Sequence, residues 1–146
     1  MVKTVMIVGG QRKNLPFFWL AEFPGTERGK MYCQINAGGL YGLQSYVAQV
    51  EVDISKGLPC FDMVGLLDSE VREARERLRV SLHHINAALP AEKITVNYSP
   101  AGIVKSGTSF DLPTALVILA AQGKVPPERL RELWAVGEVG LDARIK

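Results

Sequence analysis

A chain of 146 residues, 47% hydrophobic and 22% charged, can bury one core but hardly two, so a single domain is expected. Its formal charge of +2 is spread along the chain, which excludes a dedicated basic nucleic-acid arm but leaves contact through a few Arg or Lys side chains open. Cys33 and Cys60 are too few and too ill-spaced for a disulfide framework or a zinc site, and no apolar run reaches the ~20 residues that span a bilayer. The opening MVKTVMIVGG lacks the longer apolar core and small-residue cleavage site of a signal peptide. These features predict a cytoplasmic protein with reduced thiols, no membrane contact and no bound metal.

Val5–Val8 form a short apolar strand closed by Gly9-Gly10, without the further glycines of a dinucleotide fingerprint. In NLPFFWLAEFP (14–24), Phe17, Phe18, Trp19, Leu20 and Phe23 crowd between prolines with neither a helical nor a strand period. Residues 1–30 are therefore set apart as an N-terminal extension, and cleaner patterning begins at Met31. Either Met31 is the true translation start, or the extension is a native element that packs its aromatics on the domain.

Tyr32–Asn36 and the glycine pair Gly38-Gly39 predict a hairpin strand and its turn. Tyr46, Ala48, Val50, Val52 and Ile54 alternate with Gln49, Glu51 and Asp53, the period of a long antiparallel strand with one buried face. After a turn at Lys56-Gly57, Cys60–Val64 is a third strand. Asp68 or Ser69 can cap a helix whose Val71, Ala74, Leu78, Leu82 and Ile85 fall at three- and four-residue steps. Its other face carries Arg72, Glu73, Glu76, Arg77 and Arg79, with Arg72–Glu76 and Glu73–Arg77 spaced as i,i+4 pairs on a solvated surface. Arg72, Arg75 and Arg79 are also the candidates for contact with nucleic acid or a partner domain. His83 and His84, about 100° apart on the helix, cannot converge on a metal.

Pro90 breaks the helical pattern, and Ile94, Val96 and Tyr98 restart the strand period as far as Pro100. An apolar helix follows at Leu112–Ala121, with Pro113 tolerated in its first turn. Pro126-Pro127 open a short helix with Leu130 and Leu133, and Trp134–Val139 reads as a last strand. This order predicts an α+β fold, a mixed β-sheet with helices packed on one face as a two-layer sandwich.

The joint between the strand at Ile94–Tyr98 and the apolar helix concentrates the chemistry. It holds Lys105, Ser106, Gly107, Thr108, Ser109 and Asp111, which could cap the helix, hold an anion at its N-terminus or supply a nucleophile. As an anion site it would use Lys105, Ser106 and Thr108. It is not a P-loop, because Lys105 precedes Gly107 instead of following the last glycine, and no Walker motif occurs in the chain. In the capping alternative, Ser109 and Asp111 close the helix while Ser106 and Thr108 satisfy backbone groups.

Three blocks in order, Gly57-Leu58-Pro59 to Val64-Gly65, Ile94-Thr95-Val96-Asn97 to Pro100-Ala101, and Phe110-Asp111-Leu112-Pro113 followed by Gly137-Glu138, give residues 31–146 a specific resemblance. The segment resembles the N-terminal domain of the YifB/ComM family of magnesium-chelatase-like AAA+ ATPases, itself similar to the proteolytic domain of Lon. Leu67, Tyr98 and Ala143 depart from the residues common in that family, Pro, Leu and Gly respectively. The resemblance implies that this chain is a truncated, non-catalytic accessory domain of an ATP-driven motor. Its parent would bind ATP and magnesium in a separate AAA+ module, assemble as a hexameric ring and handle DNA during branch migration in competence. It also lays Lys105–Ser109 over Lon's Lys-Asp-Gly-Pro-Ser, with Ser109 at the nucleophile position. That alternative, a serine hydrolase, needs a lysine to take the hydroxyl proton, and in Lon this residue follows the segment resembling Gly137–Ile145.

Overall fold

The computed structural model describes residues 32–146 and the backbone of a short strand, β1 (Met6–Ile7). The aromatic stretch 14–24 and the boundary at Met31 lie outside the described residues. β2 (Tyr32–Tyr41) and β3 (Gln44–Ser55) form a long antiparallel hairpin, with Cys33 opposite Val52, Ile35 opposite Val50 and Ala37 opposite Ala48. All six of these side chains are buried, so the period-two pattern selects the core face.

The hairpin reverses at Gly42-Leu43, three residues beyond the predicted turn at Gly38-Gly39, which instead belongs to β2. The two kinds of glycine answer different needs. Gly42 has φ +61°, the left-handed conformation that a tight reversal requires. Gly39 lies under the Tyr46 ring, where a Cβ would come within 2.3 Å of Cζ, so its missing side chain makes room for the aromatic.

β4 (Cys60–Val64) runs parallel to β5 (Lys93–Ser99), and β5 is antiparallel to β3. β6 (Trp134–Ala135) lies parallel to both β1 and β2, so the sheet order is β1-β6-β2-β3-β5-β4. The fold is α+β with a mixed sheet. α1 (Ser69–His84) starts where Asp68 Oδ1 accepts from the Val71 N–H at 2.9 Å, and it buries Val71, Ala74, Leu78 and Leu82. α2 (Asp111–Ala121) packs against β2, β3 and α1; residues 111–120 are all buried, which is why this helix is apolar all round. α3 (Pro127–Leu130) begins with proline at its first position and buries Leu130.

The strand expected over Trp134–Val139 is cut to two residues. At Gly137 the chain leaves the sheet, its N–H donating to Ser109 O at 2.9 Å and its carbonyl accepting from Leu112 N at 3.0 Å. A Cβ there would come within 3.3 Å of both Leu112 and Ile145, so glycine permits this close approach. The last residues fold back on this segment through an isolated antiparallel bridge between Val139 and Ile145.

Candidate functional site

The loop from Pro100 to Phe110 is tied to the α1 entrance by a short two-way ladder. Lys105 N donates to Leu66 O at 2.8 Å and Asp68 N to Lys105 O at 3.0 Å, so Leu67 and Lys105 form a parallel bridge. Gly107, at φ +81°, then turns its N–H to Asp68 Oδ2 at 3.3 Å, and Thr108–Phe110 make a single 3-10 turn leading into α2. Asp68 therefore caps α1 with one oxygen and holds the loop with the other.

The candidate anion ligands do not face an open site together. Lys105 is fully buried, and its Nζ donates to Pro100 O and, at 2.8 Å, to Ile103 O. Burial pushes its pKa below the ordinary lysine value. Thr108 Oγ1 donates to Glu138 Oε2 at 3.0 Å, while Ser106 is exposed. An anion approaching Gly107 would meet Asp68 on its N–H and Glu70 Oε2 about 4.0 Å from a Cβ position, a field of the wrong sign for phosphate.

Ser109, the candidate nucleophile, is half-buried in the 3-10 turn, and its carbonyl is held by Gly137. Lys105 is engaged elsewhere. Lys146 Nζ lies 3.9 Å from Glu138 Oε1, across that carboxylate from Thr108 rather than in contact with Ser109. Neither Ser109 nor Asp111 caps α2: Phe110 occupies the cap position and no side chain bonds there.

Asp111 instead makes the buried ion pair of the site. Arg77 Nε donates to Oδ2 at 2.7 Å and a terminal nitrogen to Oδ1 at 2.9 Å, the bidentate geometry of a guanidinium–carboxylate pair. Val139 N adds a longer bond at 3.4 Å to Oδ2. Burial pushes the Asp111 carboxyl above the ordinary carboxylate range, and the Arg77 bonds pull it back. The hydrogen bond to Asp111 in turn holds the Arg77 guanidinium above its ordinary value. Arg77 is thus no member of a solvated face; it also donates to Glu70 O at 2.8 Å, with Glu73 at 3.8 Å. The signal in the sequence was Asp111 itself, a lone carboxylate at the head of a wholly apolar helix, which needs a buried cation.

The other arginines stay on the outer surface of α1. Arg72 Nε donates to Leu67 O at 3.2 Å instead of pairing with Glu76, because Glu76 is bonded by Arg79 at 2.9 Å and approached by Arg75 at 3.7 Å. Arg75 and Arg79 remain exposed. Behind the loop, Phe110 packs edge-on against Tyr98, ring centroids 6.0 Å apart, and the Tyr98 hydroxyl meets Thr114 Oγ1 at 2.9 Å.

A family model for "Subunit ChlI of Mg-chelatase" matches residues 50–146, which covers α1, the loop and α2. The chain belongs to the YifB/ComM family of magnesium-chelatase-like proteins. It is 41% identical over 105 residues to the uncharacterized protein YifB of Escherichia coli, covering 72% of this chain and 21% of that protein. Competence protein ComM of Haemophilus influenzae is 38% identical over 105 residues with the same coverage, and an uncharacterized protein of Mycobacterium tuberculosis is 36% identical. The chain therefore spans about a fifth of the length of these curated relatives. Among the described residues, no helix is long and apolar enough to cross a membrane and no cluster of His, Cys, Asp and Glu could hold a metal.

Proposed function

We propose that this YifB/ComM-family chain is a non-catalytic accessory domain of a larger magnesium-chelatase-like AAA+ ATPase in the cytoplasm, where it helps to assemble or orient the ATPase ring. The observation that carries this reading is the family match over residues 50–146 in a chain that contains no Walker motif. ATP and magnesium then belong to a separate module of the parent. The likeness to a competence protein supports a parent that handles DNA. A closed loop supports a scaffolding role: Lys105, Thr108 and Asp111 are all turned to partners within the domain.

The reading is tested on the parent protein with and without residues 32–146, by its ATP hydrolysis and its sedimentation as a ring. Unchanged assembly and unchanged DNA-stimulated turnover would refute it. The hydrolase alternative makes a separate demand, casein or amide hydrolysis by this chain that disappears in Ser109→Ala. The nucleic-acid alternative requires salt-dependent single-strand binding that is lost when Arg72, Arg75 and Arg79 are replaced.

A further inference from the structure

The helices cover one face of the sheet. α1 joins β4 to β5 and α2 lies between β5 and β6; each connection links parallel strands, both step across the sheet toward β1, and both helices pack into the same core. β1 and β2 are also parallel, with β6 between them, but the step from β1 to β2 runs the opposite way. Crossovers between parallel strands share one hand in ~98% of cases. With the same hand and the opposite direction, the connection from β1 to β2 passes over the face that α1 and α2 leave open.

The register fixes where that connection starts and ends. Ile7 lies level with Ala135 and Ala37, so the chain leaves β1 toward the end of the sheet where the β2–β3 hairpin turns, and it enters β2 at Tyr32, the other end. The return is ~20 Å, the strand rise from Ala37 to Tyr32 combined with the spacing from β1 across β6 to β2. About six or seven extended residues would bridge it. Residues 8–31 number 24, so most of the connection is surplus to the span. Within it lie Phe17, Phe18, Trp19, Leu20 and Phe23.

The open face is apolar along this route and polar beyond it. Asn36 faces away from the core residues Ile35 and Ala37, and Trp134, its register partner, shares its face. Val136 Cγ2 stands 3.5 Å from a Cβ position on Gly38, two residues along the same face, and Val47, opposite Gly38, is 60% exposed. Trp134, Val136 and Val47 therefore form one strip on one face. Farther across, over β3 and β5, that face shows Gln49, Glu51, Thr95 and Asn97. The apolar strip lies where the connection crosses and stops where it does not. We propose that residues 14–24 cover this strip, laying Phe17, Phe18 and Trp19 on Trp134, Val136 and Val47. The extension is then an element of the domain, and the inference stands apart from the accessory-domain reading.

Nuclear Overhauser contacts in the isotopically labelled 146-residue chain test it. Expected are contacts from the rings of Phe17, Phe18 and Trp19 to the methyl groups of Val47 and Val136 and to the Trp134 ring, with none to the side chains of α1. In urea unfolding, Phe17→Ser together with Phe18→Ser should lower the folding equilibrium constant about tenfold or more, because the burial of two aromatic rings is lost. Rings without contact to the domain would overturn the assignment, and so would contacts to the helix-covered side. An unfolding curve that the double substitution leaves unchanged would overturn it equally. None of these outcomes touches the accessory role, which is read from the larger ATPase.

Discussion

Replacing Arg77 with alanine separates the pair the structure shows from the solvated face the helix pattern implies. Asp111 is 0% exposed and takes two of its three hydrogen bonds from Arg77, so truncation leaves a buried carboxylate with one long bond to Val139. Breaking a buried pair in this way typically costs 3–5 kcal/mol. Arg77 is itself 20% exposed and its removal lets water toward the site, which favours the lower end, about 3 kcal/mol. For a domain of this size that lowers Tm by roughly 10 °C. An exposed helix pair would cost only about 0.3–0.5 kcal/mol, the value expected for Arg79→Ala, whose side chain is 63% exposed.

Urea unfolding at pH 7 measures both variants, and a second pH gives a signature of mechanism. In Arg77→Ala burial outweighs the one remaining bond from Val139, so the folded pKa of Asp111 lies above its unfolded value. The folded state then binds the extra proton, and the penalty is absent below the unfolded pKa of about 3.9 and grows as pH rises through the folded value. The deficit at pH 7 should therefore shrink toward pH 4. The double variant Arg77→Met with Asp111→Leu, which removes both charges, should recover most of the loss. A deficit under 1 kcal/mol at pH 7, or one that does not shrink in acid, would refute the buried-pair account.

Other residues give independent tests. Gly65 has φ +134° and a Cβ there would stand 3.0 Å from the Tyr98 carbonyl oxygen, so Gly65→Ala should cost about 2 kcal/mol in urea unfolding. Ala143 has φ +60°, and Ala143→Gly should stabilise by about 0.5 kcal/mol, the left-handed strain relieved less the added entropy of the unfolded chain; a drop in Tm would contradict this. Because burial lowers the Lys105 pKa, the unfolded chain binds the extra proton between the folded and unfolded values. The unsubstituted chain should gain stability relative to Lys105→Met as pH rises from 7 toward 10, and a constant difference would argue against a buried ammonium.

Local order was legible in the sequence wherever it depended on local spacing. The core faces of α1 and β3 follow from periods of 3.6 and 2, and the Asp68 cap from the residue before the helix. What the sequence hid depended on partners far along the chain. Arg77 and Asp111 are 34 residues apart, and helical spacing alone placed Arg77 among the surface charges. Gly38-Gly39 resembled a turn because a glycine that makes room for an aromatic has the same letter as one that reverses the chain. The residue pattern singled out the joint before α2, but the directions of Lys105 and Thr108 are set by Pro100, Ile103 and Glu138, which no local pattern predicts.

The position of β6 inside the sheet ties early-made strands to a late-made one. Asn36 must wait for Trp134, roughly a hundred residues later, before its outer edge is paired, the kind of distant contact that slows folding. At translation speeds of about 5–20 residues per second, that edge of the nascent hairpin stays open for roughly 5–20 s. β1 must wait longer still, because its partner in the sheet is β6 itself. At this edge β1 and β2, both synthesised early, depend on the later β6 to be joined into one sheet.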